Sequence, residues 1–96
     1  MEMNVTNVLV TTAGISQMIS ESEEFSESVV DALVRFIGRD WGNVCPEDWE
    51  ANDLDADSLR EGRGGRIIAA YESGSGNPFW IIKDSQAITV LFPDEY

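Results

Sequence analysis

The chain has 96 residues, 43% of them hydrophobic, with eighteen Asp or Glu, six Lys or Arg, no histidine and one cysteine. That length implies one domain with one small core, and three tryptophans within the apolar fraction suffice to fold it despite a net charge of −12. Without histidine, Ser-His-Asp and Cys-His catalysis and histidine-based zinc sites are excluded, and the single Cys45 cannot form an internal disulfide.

The longest apolar runs, Ile67 to Tyr71 and Phe79 to Ile82, fall far short of the roughly 20 residues of a membrane span. Met1-Glu2-Met3-Asn4 lacks the positive and apolar regions of a secretory signal. A cytoplasmic protein is the expectation, with the Asn4-Val5-Thr6 sequon accidental. Charge is unevenly distributed. Residues 1 to 57 carry thirteen acids against two arginines, a net −11, whereas residues 58 to 96 are at −1. Such a field favours basic proteins and repels nucleic acid and anionic lipid.

In chain order, Val5, Val8, Leu9 and Val10 with Thr11 and Thr12 are β-formers, so residues 4 to 12 are expected as a strand broken by Ala13-Gly14. A short helix follows over Ile15 to Ile19. Ser20 and Glu23 have capping-box spacing ahead of a longer helix, Glu23 to Ile37. There Phe25, Val29, Leu33 and Phe36 recur at three and four residues, with Glu24, Glu27 and Asp31 opposite. Gly38 is expected as the left-handed cap. Gly38 to Cys45, with Trp41-Gly42, forms an ordered loop.

Pro46 fits the first turn of a third helix, and Glu47 and Asp48 complement its dipole. Trp49, Asn52, Ala56 and Leu59 share one side of it. Leu54 falls among the acids: either the helix breaks near Asn52 to Asp55, or Leu54 is exposed. Glu61-Gly62-Arg63-Gly64-Gly65 is a flexible connector. Arg66 to Glu72, Phe79 to Lys83 and Ala87 to Phe92 then form short strands with short turns, an antiparallel meander apolar on both sides. A cover is expected on each face. The expected fold is α+β: an antiparallel three- to four-stranded sheet, the C-terminal meander plus the N-terminal strand, packed with two or three helices.

Several motifs invite chemistry and fail on inspection. Asp53-Leu54-Asp55-Ala56-Asp57 alternates like a calcium loop, but Ser58 and Gly64 stand where that loop needs Gly and Glu. Gly62-Arg63-Gly64-Gly65-Arg66 lacks the Lys-Ser/Thr and following helix of a phosphate loop. Arg60, Arg63 and Arg66 are expected to pair with neighbouring acids. Cys45, beside Glu47 and Asp48, suits a structural or capping thiol better than a nucleophile. No cofactor or metal is expected, and no enzymatic activity.

Gly38-Arg39-Asp40-Trp41-Gly42, Glu47-Asp48, Asn52-Asp53, Gly64-Gly65-Arg66-Ile67, Tyr71, Trp80-Ile81-Ile82 and the close Val90-Leu91-Phe92-Pro93-Asp94-Glu95-Tyr96 together carry a resemblance. The chain resembles the small "plasmid-related protein" family of bacterial plasmids and integrated elements, from Thr12 to Tyr96. It departs from that pattern by an acid-rich insertion, Leu54 to Ser58. The family has no settled activity. The resemblance implies a mobile-element setting, in which small acidic proteins disarm host CRISPR or restriction enzymes.

Two functions follow as expectations. In the first, the chain inhibits a basic, nucleic-acid-binding host defence enzyme by DNA mimicry, since such enzymes meet phosphates with Lys and Arg clefts. The expected contact surface is Glu47, Asp48, Glu50, Asp53, Asp55 and Asp57, with Glu24, Glu27 and Asp31 as a second row; the chain itself contacts neither nucleic acid nor membrane. In the second, it is a protein-binding accessory module using an apolar or sheet-edge surface, and the acids serve solubility.

Overall fold

The computed structural model describes residues 8–96. The elements are β1 (Val8–Thr11), α1 (Ala13–Glu21), α2 (Glu23–Ile37), α3 (Pro46–Arg60), β2 (Ile67–Glu72), β3 (Pro78–Lys83) and β4 (Ala87–Leu91), then a 3₁₀ turn at Pro93–Glu95. The fold is α+β, as expected. Residues 4–7 of the expected first strand lie outside the described residues. No helix among the described residues is long and apolar enough to cross a membrane.

The strands form one mixed sheet of order β1-β4-β3-β2. The C-terminal meander is antiparallel, with Tyr71 opposite Phe79 and Ile81 opposite Val90. β1 joins it beside β4, but parallel, with Thr11 opposite Val90. A parallel partner needs a long crossover, and residues 12–86 supply one.

Local chemistry moves several boundaries. The strand ends before Ala13-Gly14 as expected, but α1 opens at Ala13 rather than Ile15, because the Thr12 hydroxyl accepts from the Ile15 N–H at 3.3 Å and starts the helix there. The cap of α2 is Ser22, whose hydroxyl accepts from Phe25 N–H at 3.1 Å; Ser20 lies inside α1 and donates to the Gln17 carbonyl. The left-handed residue after α2 is Arg39, at φ 65°, not Gly38 at −83°. Arg39 N–H bonds to the Phe36 carbonyl and Asp40 N–H to that of Arg35, the two reversed bonds of a Schellman motif. α3 runs unbroken through Asn52 to Asp55, which leaves Leu54 exposed.

One sheet face is buried under α1 and α2. Ile67, Ala69 and Tyr71 of β2 and Phe79 and Ile81 of β3 are buried against Ile15, Phe25, Val29 and Phe36. Phe25 meets Phe79 edge-on at 5.6 Å between ring centroids. The opposite face, with Ile68, Ala70, Trp80 and Ile82, is only half-buried. Its cover is the C-terminal segment, where Tyr96 stacks edge-on against Trp80 and lies under the Arg66 guanidinium.

The outer edge of β2 is closed by polar groups of the preceding segment. Ala70 N–H donates to the Trp41 carbonyl at 3.1 Å and its own carbonyl accepts from Asn43 at 2.7 Å. The Asn52 amide, 6% exposed, donates to the Ile68 carbonyl at 2.9 Å and accepts from its N–H at 3.4 Å. Asp55 accepts from Arg66 N–H at 3.1 Å. α3 thereby lies antiparallel to β2 and substitutes for a fifth strand with side chains.

Candidate functional site

The Asp-Trp-Gly turn sets the position of α3. Asp40 takes the Arg35 guanidinium at 2.9 and 3.4 Å and the Gly42 N–H at 3.1 Å, while Tyr71 Oη donates to the Asp40 carbonyl at 2.7 Å. Gly42 has φ 77° and forms a bridge with Ala70, and a Cβ there would stand 2.0 Å from the Ala70 carbonyl oxygen. No other residue fits that approach. Trp41 is buried against Phe36, and its indole N–H donates to Asp53 at 3.0 Å. Asp40, Trp41, Gly42, Asp53 and Tyr71 are here bonded to one another or to their neighbours as framework.

The six expected contact acids of α3 therefore divide. Asp53 holds Trp41, Asp55 holds the start of β2, and Asp57 accepts from Arg39 at 2.9 Å and from Arg60 at 3.4 Å. The Arg39 guanidinium, with lesser help from Arg60 and Arg63, holds the Asp57 carboxyl below the usual carboxylate range. These three point to different partners and are half-buried. Glu47, Asp48 and Glu50 are exposed, and no hydrogen bond or ion pair ties any of them to another described residue. Helix periodicity alone could not make this division, because it depends on what each carboxylate meets across the loop and the sheet edge.

The second row, Glu24, Glu27 and Asp31, is exposed on α2. Ser28 of the same helix accepts from Gly74 N–H at 3.1 Å, so the N-terminal half of α2 lies at the β2–β3 turn. α3 runs antiparallel to β2 and begins toward that same end. Glu24 and Glu27 thus share one end of the molecule with Glu47, Asp48 and Glu50, and Glu72 is there too. A shallow depression formed by Val44, Pro46 and Trp49 is edged by Glu50 and Asp53. Acids in the first turns of both helices also face positive dipole ends, which offsets part of their mutual repulsion.

Bases gather at the opposite end. Arg60 ends α3, Arg63 and Arg66 lie between it and β2, Lys83 sits opposite Ile67, and Arg39 reaches Asp57. Arg60 and Arg63 pair with Asp57 and Glu61 as expected, whereas the Arg66 guanidinium goes to the Tyr96 hydroxyl. Nothing in the chain order signals that Arg39 and Lys83 meet, so neither is legible as a site residue from the sequence. Cys45 precedes α3 but makes no side-chain cap bond and is exposed, so the capping role is not realised.

Two apolar surfaces stand outside this polarity. Val30, Val34 and Ile37 form an exposed stripe along α2, and Val8, Leu9 and Val10 are exposed on edge strand β1. Comparison with protein-family models, with curated proteins and with solved structures finds no match to this chain.

Proposed function

We propose that the chain is a non-catalytic inhibitor that docks its acidic end on a basic, nucleic-acid-binding defence enzyme of the host, in the place of DNA. The observation that supports this reading is the set of exposed carboxylates of Glu47, Asp48 and Glu50, bonded to no other described residue, beside the half-buried Trp49, with Glu24 and Glu27 at the same end. Bonded carboxylates are already compensated and offer a partner little. Unbonded ones lose only water when a lysine or arginine arrives, and a concentrated negative end orients the approach. Trp49 adds a candidate aromatic anchor of the kind that carries binding energy inside a charged rim.

The test is the triple variant Glu47→Lys, Asp48→Lys, Glu50→Lys, which brings the net charge from −12 to −6 without touching the Asp53, Asp55 or Asp57 bonds. DNA cleavage by purified CRISPR and restriction effectors is assayed with either protein at about 0.05 and 0.5 M salt, across which screening lengths fall severalfold. Inhibition by the native chain should weaken at high salt and vanish for the variant. Full-strength inhibition by the variant sinks the reading.

A second reading, an accessory module that binds protein through an apolar surface, is favoured by the exposed Val30, Val34 and Ile37 stripe. Its mark is a complex that survives 0.5 M salt and is lost on Val30→Glu with Val34→Glu.

A further inference from the structure

We propose that the cleft between the C-terminal ends of α2 and α3 binds a small molecule with an apolar body and an anionic head. This site lies at the opposite end of the molecule from the acidic surface and is independent of the inhibitor reading. Its cavity of about 570 Å³ has the size of small-molecule pockets. Trp41, Leu59, Ile67 and Ile88 give it apolar walls, and Ile37, 78% exposed, stands at its mouth.

The rim is cationic in a strongly acidic protein. Arg39, Arg60 and Lys83, three of the six bases, border the cleft. Arg39 and Arg60 both reach the same Asp57 oxygen, at 2.9 and 3.4 Å, so one carboxylate answers two guanidiniums. A planar guanidinium with donors left over suits a carboxylate or a phosphate.

Arg39 supplies an independent observation. It occupies the left-handed position after α2, at φ 65°, where glycine carries no steric cost, while Gly38 beside it has an ordinary negative φ. The Arg39 side chain borders the cleft while one of its nitrogens holds Asp57, and a left-handed position kept by a residue other than glycine points to a use for that side chain. An apolar body on the Trp41 and Ile67 floor, with its head between Arg39 and Lys83, satisfies both halves of the site.

The full chain, ¹⁵N-labelled, is titrated with octanoate, octyl phosphate and octanol. At least one anion should shift the Trp41 indole N–H and the Ile67 and Ile88 amides, and whichever binds identifies the head as carboxylate or phosphate. Octanol should bind about tenfold more weakly, in line with a lost charge-assisted hydrogen bond. Arg39→Gly, which removes the strain with the charge, and Lys83→Met should each weaken the anion about tenfold. Arg63→Ser, outside the cleft, should leave binding unchanged. Thermal melts establish that each variant is folded. The proposal is overturned if neither anion shifts these signals, if octanol binds as tightly as the anions, or if the folded Arg39 and Lys83 variants bind as the native chain does.

Discussion

Replacing Asn52 measures how far a single side chain closes the sheet edge. Its amide both donates to and accepts from Ile68, at 2.9 and 3.4 Å, and is itself 6% exposed. Asn52→Ala leaves the Ile68 carbonyl and N–H without their partner. A net hydrogen bond is worth about 0.5–1.5 kcal/mol and an orphaned buried group about 1–3 kcal/mol. The longer bond counts for less, and water regains some access to a half-buried strand, so a loss of about 2–3 kcal/mol is expected from a total of about 5–15. Asn52→Asp sharpens the test. At neutral pH it turns a carboxylate oxygen toward the Ile68 carbonyl, and burial beside that oxygen raises the folded-state pKa above the ordinary Asp value of about 3.9. A raised folded pKa means that stability is present below the unfolded value and lost as pH rises through the folded one. The deficit of Asn52→Asp relative to the native chain should therefore shrink on acidification, because the protonated acid donates to Ile68 as the amide did. Urea unfolding at pH 7 and pH 4 measures both variants. If Asn52→Ala stays within about 0.5 kcal/mol of the native chain, or the Asp deficit does not change with pH, the edge-closing role is wrong.

Two further outcomes probe the framework. Gly42→Ala combines a φ of 77° with a Cβ placed 2.0 Å from the Ala70 oxygen and 2.8 Å from the Tyr71 ring, so the bridge must open; thermal melts should show a loss of more than about 3 kcal/mol or no folded state. Asp40 is held below its ordinary value near 3.8 chiefly by the Arg35 guanidinium and then by the Gly42 N–H. A lowered folded pKa contributes stability above the unfolded value and loses it as pH falls through the folded one. The gap in melting temperature between the native chain and Asp40→Asn should be full at pH 6 and close progressively below about 3.8, and a gap that persists at pH 2 would contradict the ion pair as its cause.

Much of the fold was legible in the residue order because it rests on local chemistry. The three- and four-residue recurrence of Phe25, Val29 and Phe36 gave α2, Pro46 with Glu47 and Asp48 gave the start of α3, and alternating Ile, Val and aromatic residues with short turns gave the meander. The capping position moved from Ser20 to Ser22 because two serines separated by one residue offer the same signal, and only the one with an extended backbone can serve. The left-handed residue moved from Gly38 to Arg39 because propensity favours glycine, whereas the reversed bonds to Phe36 and Arg35 determine which residue must turn.

Composition by itself determined that the protein is acidic, lacks histidine chemistry and has enough apolar residues for one core. Helical spacing determined which acids face away from that core. Only the tertiary structure decided what those acids meet: α3 lies antiparallel along the edge of β2, so Asp53, Asp55 and Asp57 bind the framework while Glu47, Asp48 and Glu50 stay open to solvent. The same packing carries Arg39 from the loop after α2, Arg60 from α3 and Lys83 from β3 to one cleft. Sequence patterns record the periodicity of one element at a time. Contacts between elements depend on where the chain turns, and here the turn at Asp40-Trp41-Gly42 sets them.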